Sequence, residues 1–464
     1  MMVITVIGCG FVGSVSAVCL CGFGFQVWLY DEDQTRLERL KNNASPADEP
    51  GVAQAVVKHL ASGQLTFSDN VYNMVYKSDV VVIAVPTLNK NSDFDMSNLH
   101  DTIRKVVLSL SNTHYTAIVI KTNIPVGAGS IIADNTLFLR TDIKLGKHYD
   151  IITNPGILRE GSAIQDFMEP NVVLVGTGNE STAAKSTMLK MYATIAASKV
   201  PFVFASYETV EIIRAGAIGF LAIKMAYINE IADICSRCGA DINTVTKGIA
   251  SDHRIGPNSL RVSPGFGGTS FPRTVRVLSN AAKSLGVNLS IIDAAIESNT
   301  SRIASIKPQI MKLLNDANGK ALPIAIKRKV AILGLSFKPL TSDIRESPSL
   351  FVIKDLLAEE HIDVWAYDPL FKSSRNKNQC IPTAIREHKN FRIVESVYDA
   401  ISQSDIVVIM TNWNEFISLD LKKVRELMNK PPYSKPIILD YRNMFSPERM
   451  KAFHYVSQGQ PVNT

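Results

Sequence analysis

Gly8-Cys9-Gly10-Phe11-Val12-Gly13 follows the β-branched run Val3–Ile7 and opens a stretch of small residues, Gly13–Gly22. A G-x-G-x-x-G between a predicted strand and a predicted helix has a mechanical reading. The first glycine permits a tight turn, and the second lets the backbone approach a pyrophosphate. The third lets the helix pack on the strand with its positive N-terminus toward the phosphates. Gln26–Tyr30 reads as a second strand ending at Asp31, about 20 residues past the glycines, where a carboxylate accepts from a ribose hydroxyl. The same carboxylate repels a 2′-phosphate. The pattern therefore predicts NAD rather than NADP, held by Gly8, Gly10, Phe11, Val12, Gly13 and Asp31.

Outward from this motif, Asp79–Val85 and Ala117–Ile120 are apolar runs bounded by turn residues, as in a parallel sheet covered on both faces. The end of the chain repeats the plan. Lys329–Gly334 echoes the opening strand, Val364–Asp368 matches Val27–Asp31, Ser404–Ile409 matches Ser78–Ile83, and Lys435–Asp440 stands where Tyr115–Lys121 stood. Between them, from about Glu208 to Asn299, helical spacing replaces strands: Ile212, Ile213, Ala217, Phe220, Leu221, Lys224, Met225 and Ile228 fall near an i, i+3, i+4, i+7 pattern. The expected fold is α/β, with two Rossmann-like doubly wound parallel-sheet domains joined by a long helix and a helical middle domain. The expected boundaries are 1–205 for the NAD-binding domain, 206–300 for a helical dimerisation domain and 320–464 for the C-terminal domain. Helices of this length often pair subunits, which predicts a homodimer or higher oligomer.

A length of 464 residues exceeds what one core usually serves, and 46% apolar with 20% charged residues describes a globular chain. The net charge of +6 forms no long basic run, and Lys327-Arg328-Lys329 reads as a solvated loop, so nucleic acid is not an expected partner. The first 25 residues are uncharged, but they lack a basic n-region and are broken by glycines, which argues against a signal peptide. No other run would span a bilayer, so a cytoplasmic protein is expected. Cys9, Cys19, Cys21, Cys235, Cys238 and Cys380 are too few for a disulfide framework. Cys235 and Cys238 form a C-x-x-C within a helical pattern and no second ligand pair lies near, so helix packing rather than a metal is expected.

At this point the sequence resembles the UDP-sugar 6-dehydrogenases, UDP-glucose dehydrogenase and its relatives, over nearly its whole length. The matching segments include Gly8–Gly13, Ala84-Val-Pro-Thr87, Ile120-Lys-Thr-Asn-Ile-Pro-Val-Gly127 and Asn154-Pro-Gly-Ile-Leu-Arg-Glu-Gly161. Phe220–Lys224, Asn229-Glu230, Gly239–Asp241, Asp252–Gly256, Gly265–Gly268, Gly334–Pro339, Ser342–Ser347 and Asp440–Asn443 complete them. The resemblance implies an NAD domain, a helical dimer core and a C-terminal UDP-binding domain. It implies a UDP-sugar site lined by Leu158, Phe266, Gly267, Phe337 and Lys338, with Arg442 at the sugar end and Arg254 reaching a neighbouring subunit's substrate. Thr87 lies in a matched cofactor segment, Arg345 matches an arginine that contacts the dinucleotide, and Arg36 matches a basic residue near the adenosine ribose. Each arginine also has a plain reading as a surface cation, although anionic ligands need such forks.

The family's reaction, as the resemblance implies it, oxidises a primary alcohol to an acid in two hydride transfers, with a cysteine capturing the aldehyde. That cysteine position is Ser270 here, and the catalytic lysine and asparagine of the central helix are Arg214 and Ile218. The aspartate after the cysteine is Thr274 and the lysine beside it Arg273; the glutamate of the N-P-E motif is Gly156, and the threonine of the K-S-T motif is Asn123. Those last two would have positioned the catalytic water, and only the second glutamate, Glu160, remains. A serine without a base is a weak nucleophile, and an arginine stays protonated. Three readings stay open. One is an NAD-dependent enzyme with altered chemistry, two-electron or redox-neutral, in which Arg214, Asn123 and Glu160 do the polar work and Ser270 bonds the substrate. Another is a non-catalytic homologue that binds NAD and a UDP-sugar. The last is an ordinary UDP-glucose 6-dehydrogenase in which another residue replaces the cysteine.

Overall fold

The computed structural model describes residues 2–42, 48–87, 95–178, 181–316, 327–371, 381–429 and 435–460. Cys380 and the expected boundary at 320 lie outside them. The chain divides into two compact units, residues 1–216 and 217–464.

The first unit is built on an eight-stranded sheet. Its strands are β1 (Val3–Ile7), β2 (Gln26–Tyr30), β3 (Leu65–Phe67), β4 (Val80–Ile83), β5 (Thr116–Ile120), β6 (Tyr149–Thr153), β7 (Val173–Thr177) and β8 (Phe202–Ala205), ordered β3-β2-β1-β4-β5-β6-β7-β8. The central strands β1, β4 and β5 are apolar at every position but Thr5 and Thr116 because both faces are covered. Val80, Val82, Ala117 and Val119 point into one core, while Val81, Ile83, Ile118 and Ile120 point into another. This period of two across two cores explains why the sequence shows runs rather than alternation. The sheet is not wholly parallel: β7 runs antiparallel to β6, pairing Ile152 with Thr177 and Thr153 with Gly176. The return between them carries one six-residue helix, Ala163–Met168, and brings the chain back beside β6, as an antiparallel neighbour allows.

The second unit holds a six-stranded parallel sheet. Strands β9 (Arg328–Leu333), β10 (Ile362–Tyr367), β11 (Phe391–Ile393), β12 (Ile406–Ile409), β13 (Ile437–Asp440) and β14 (His454–Ser457) are ordered β11-β10-β9-β12-β13-β14. The repeat read in the sequence is a repeat of structure. The matched segments form β1 and β9, β2 and β10, β4 and β12, and β5 and β13, which hold the same places in the two sheets. Val330, Ile332, Ile406 and Val408 face one core, and Ala331, Leu333, Val407 and Ile409 the other.

From residue 207 to 316 the described residues form helices and no strand, beginning with the 32-residue helix Tyr207–Cys238. Within the second unit the C-terminal segment ties the helices to the sheet end. Ile242 N–H donates to the Gly459 carbonyl at 2.8 Å, and Gly459 N–H to the Ser236 hydroxyl at 3.0 Å.

Both halves place a glycine of positive φ at the end of the first strand: Gly8 at +100° and Gly334 at +98°. A Cβ on Gly8 would sit 2.6 Å from the Ala84 carbonyl oxygen, and one on Gly334 2.4 Å from Thr411 Cβ. Gly334→Ala therefore adds an unfavourable φ to overpacking. Urea unfolding should show it destabilised by about 2 kcal/mol or more; a change within experimental error would mean that the turn relaxes.

Candidate active site

In a doubly wound sheet, ligands bind beyond the carboxyl ends of the strands where the order reverses. In the first unit that point lies between β1 and β4. Gly13, in the first turn of the helix Phe11–Gly22, packs so close to the glycine turn that a Cβ there would lie 1.7 Å from the Gly8 carbonyl oxygen, whereas Gly10 has nothing within 4 Å of its Cβ position. The helix has no acidic residue in its first turn and no side-chain cap. Its N-terminus is thus an open positive end with room for a backbone-bound phosphate, and these residues fit a dinucleotide.

Asp31, 7% exposed, ends β2. Its Oδ2 accepts from Cys9 N–H at 2.7 Å and its Oδ1 from Asp33 N–H at 2.9 Å, so it braces the glycine turn. It also lines a cavity of about 220 Å³ with Gly8, Tyr30, Arg36, Val85 and Pro86. At the rim Arg36 pairs with Asp33 at 3.2 Å, and Lys105 pairs with Glu32 at 2.6 Å. Beyond β4, the buried Thr87 hydroxyl donates to the Asn123 carbonyl at 2.9 Å, which brings these two candidates together.

Behind this loop lies a group that sequence reasoning missed. Lys121, just past β5, is buried, its Nζ donating to Asn154 Oδ1 at 2.9 Å and Tyr192 Oη at 2.8 Å. It stands 5.0 Å from the Phe167 ring centre, and among the described residues no carboxylate pairs with it. Burial pulls its amine down to about 7. Its Cε lies 3.6 Å from where Gly156 would carry a Cβ, and Leu158 Cγ lies 3.3 Å from that point. Just past Glu160, the amides of Gly161 and Ala163 donate to Glu49 at 2.5 and 2.7 Å. Glu49 is 3% exposed, and an acid this far from Glu160 in sequence leaves no local motif to find it by. Arg214, also buried, lies on the helix Tyr207–Cys238.

The second unit gathers most of the other candidates. Gly265, at φ +128°, starts a loop in which Asn299 brackets Phe266: its Oδ1 accepts from Phe266 N–H at 2.7 Å and its Nδ2 donates to the carbonyl at 3.1 Å. A Cβ on Gly267 would lie 2.4 Å from the Glu346 carbonyl oxygen, and one on Gly268 2.8 Å from the Phe337 ring. Gly268 N–H donates to the Arg345 carbonyl at 3.1 Å. Arg442 closes the arrangement at the β9–β12 switch point, its Nε donating to Met410 O at 2.7 Å and its Nη2 to Phe337 O at 3.1 Å. Burial lowers its guanidinium to about 10, still charged at neutrality. Lys338 Nζ stands 5.8 Å from the Phe337 ring centre, and the exposed Arg345 forks onto Asp343. Arg254 stands apart, 80% exposed and paired with Asp252 in a loop fastened by Lys224.

Asp368 is the counterpart of Asp31 and was legible only through the repeat. Its Oδ2 accepts from Leu335 N–H at 2.9 Å, Ser336 N–H at 3.0 Å and the Trp413 indole at 3.1 Å.

Ser270 is half-buried at the N-cap of the helix Phe271–Ser284, and its hydroxyl makes no capping bond. No hydrogen bond from it to a base occurs among the described residues. Arg273 folds back onto the Thr269 carbonyl at 2.6 and 3.0 Å, and burial, with Arg345 adding to it, brings it to about 10, too high to act as a base near neutrality. Ile218 is 3% exposed and apolar. Burial pushes the thiols of Cys19 and Cys21 up to about 12 and that of Cys9 higher still, so none is an activated nucleophile.

Models of the UDP-glucose/GDP-mannose dehydrogenase family match the chain in three places: the NAD binding domain over residues 2–196, the central domain over 208–301 and the UDP binding domain over 331–447. The chain belongs to this family. It is 32% identical over 465 residues to the UDP-glucose 6-dehydrogenase of Rhizobium meliloti, covering 99% of this chain and 100% of that protein. It is 34% identical over 466 residues to the enzyme of the same name from Rickettsia conorii, with the same coverage. The solved UDP-glucose dehydrogenase of Pyrobaculum islandicum superposes with a TM-score of 0.82 at 27% identity, over 98% of this chain and 97% of that one. No helix among the described residues is long and apolar enough to cross a membrane.

Lys121 sets a pH dependence. Its folded-state pKa lies below the ordinary lysine value, so between about 7 and 10.5 the unfolded chain binds a proton that the folded chain does not. Its contribution to stability therefore rises with pH across that window and is lost as pH falls through 7. Melting temperatures measured from pH 6.5 to 10 should show Lys121→Met gaining on the parent chain at the acid end. Parallel curves would mean that the amine is charged throughout.

Proposed function

We propose that this chain is an NAD-dependent oxidoreductase of nucleotide sugars whose chemistry departs from four-electron oxidation to the acid. The observation that carries this reading is the contrast inside one family frame. The glycine cradles and the Arg442–Phe337–Gly268 arrangement suit ligands, while Ser270, at the position where the family resemblance puts the nucleophile, bonds no base among the described residues. Bound NAD would supply the hydride acceptor. Gly8, Gly10 and Gly13 would hold its pyrophosphate, and Asp31 would select the 2′-hydroxyl over a 2′-phosphate.

Oxidation of an alcohol to an aldehyde needs only a base for the hydroxyl proton and a steady charge near the oxygen. Arg214 suits the second task, and Asn123 and Glu160 supply polar groups for the first. Oxidising the aldehyde further needs a tetrahedral adduct, formed by a nucleophile or a positioned water. Ser270 is weak in that role, and Ile218 donates nothing to an oxyanion. Loss of one oxyanion donor alone costs about 100- to 1,000-fold in rate. A UDP-sugar panel with NAD or NADP should accordingly yield at most one NADH per sugar, or a product of unchanged oxidation state, with NAD preferred. Two NADH per UDP-glucose at an ordinary enzymatic rate would reject the reading. The same substitutions favour a second reading, a binding homologue without turnover, which the panel separates by saturable binding without product.

We also propose that the chain self-associates through the helix Tyr207–Cys238. Phe220, Tyr227 and Ile234 recur at a spacing of seven and are 63%, 48% and 60% exposed, an apolar stripe suited to a facing helix. Light scattering after gel filtration should report a dimer or multiple, and Phe220→Glu combined with Tyr227→Glu should shift the mass to the monomer. A monomeric parent chain would end this proposal.

A further inference from the structure

The helix Ala128–Thr136 starts directly after the segment that carries Asn123, and its N-cap, Gly127, has no side chain to satisfy the first-turn amides. The acceptor comes from far along the chain. Gly127 N–H donates to Glu211 Oε2 at 2.6 Å and Gly129 N–H to Glu211 Oε1 at 2.9 Å, so one carboxylate takes two amides with its two oxygens. The fit is tight: a Cβ on Gly129 would lie 2.8 Å from both Glu211 Oε1 and Tyr207 Cβ. One turn earlier, Glu208 accepts from the Ser130 hydroxyl. The first turns of the helix Tyr207–Cys238 thus grip the first turn of the helix Ala128–Thr136.

A local serine or aspartate would cap this helix without burying a charge. Glu211 is 4% exposed, and burial pushes its carboxyl up to about 7 against the pull of the two amides. The arrangement is costly as a cap, but it does what a local cap does not, because it fastens two functional elements together. Three residues past Glu211, on the same helix, lies Arg214. Four residues before Gly127 lies Asn123, whose carbonyl is held on its other side by Thr87. We infer that Glu211 is a positioning residue, fixing the 123–127 segment with Asn123 against the helical turn that carries Arg214. The functional half of this inference rests on the proposed reading that Asn123 and Arg214 face the reacting group.

Glu211→Gln keeps the volume but replaces one acceptor oxygen by an NH2, leaving at most one amide satisfied. Hydrogen exchange on the whole chain should show the 122–130 backbone exchanging at least tenfold faster, with β1 and the helix Phe11–Gly22 unchanged. If the parent chain turns over a UDP-sugar, the variant should lose at least tenfold in kcat with KM for the sugar within threefold, since a small misplacement of reacting groups costs rate rather than binding. If the parent chain binds without turnover, NADH fluorescence should show at least fivefold weaker affinity, transmitted through the Thr87–Asn123 bond. Glu211→Asp, which keeps the charge but reaches one amide, should fall between the two, and it replaces the glutamine variant should that one not fold. Unchanged exchange, or faster exchange with unchanged kcat and NADH affinity, overturns the inference. A parent chain with neither turnover nor NADH binding rejects the functional reading and the positioning role with it, while the exchange result still decides whether the clamp exists.

Discussion

In each half of the chain a buried carboxylate at the end of the second strand takes backbone amides from the glycine turn that follows the first. Asp31 holds Cys9 N–H, and Asp368 holds Leu335 and Ser336 N–H. The turn leaves the ladder only after Gly8 and Gly334, whose amides still bond Tyr30 and Tyr367, and it is pressed against the next strand's end, where Gly8 meets Ala84 and Gly334 meets Thr411. With its amides held, the turn keeps the following helix aimed at the switch point. Each candidate ligand site then sits on a backbone cradle, and side chains need only select what enters it.

The two halves use the same device differently. In the first, Asp31 still borders open space of about 220 Å³ beside Gly8 and Arg36, so it has access to a ligand while bracing the turn. In the second, Asp368 is sealed by the Trp413 indole and burial raises its carboxyl, so it serves only the fold. The candidate residues that come over the turn there are Phe337 and Arg442, with the Gly268 backbone against the Phe337 ring. A duplicated frame thus yields two unlike sites, because what covers the strand ends differs.

Several buried charges in the first unit share a second logic. Lys121, Glu49 and Glu211 each bond neutral backbone, amide or hydroxyl groups, and each stands beside a loop that carries a candidate residue. Burying such groups opposes stability, and their hydrogen bonds offset only part of that cost. They persist as fasteners between segments distant in sequence. The 122–127 and 154–163 loops have little regular structure of their own, and distant side chains hold them in shape.

The frame was legible along the chain. Strand runs, glycine spacing and the two halves matched in four segments are patterns along the chain, and such patterns follow from backbone sterics and from which faces must be covered. They placed β1, β2, β9 and β10, the dinucleotide turn and the long helix, and the family resemblance added the loops at 265–268 and 334–347. The tertiary structure alone decided that β7 runs against β6, that Asp31 braces its own glycine turn, that Arg442 bonds two carbonyls at the second switch point, and that Lys121, Glu49 and Glu211 clamp the loops. Each of these joins residues tens of positions apart. A pairing of that kind leaves no period or spacing along the chain, because it is settled by which groups remain unsatisfied once the sheets and helices have packed.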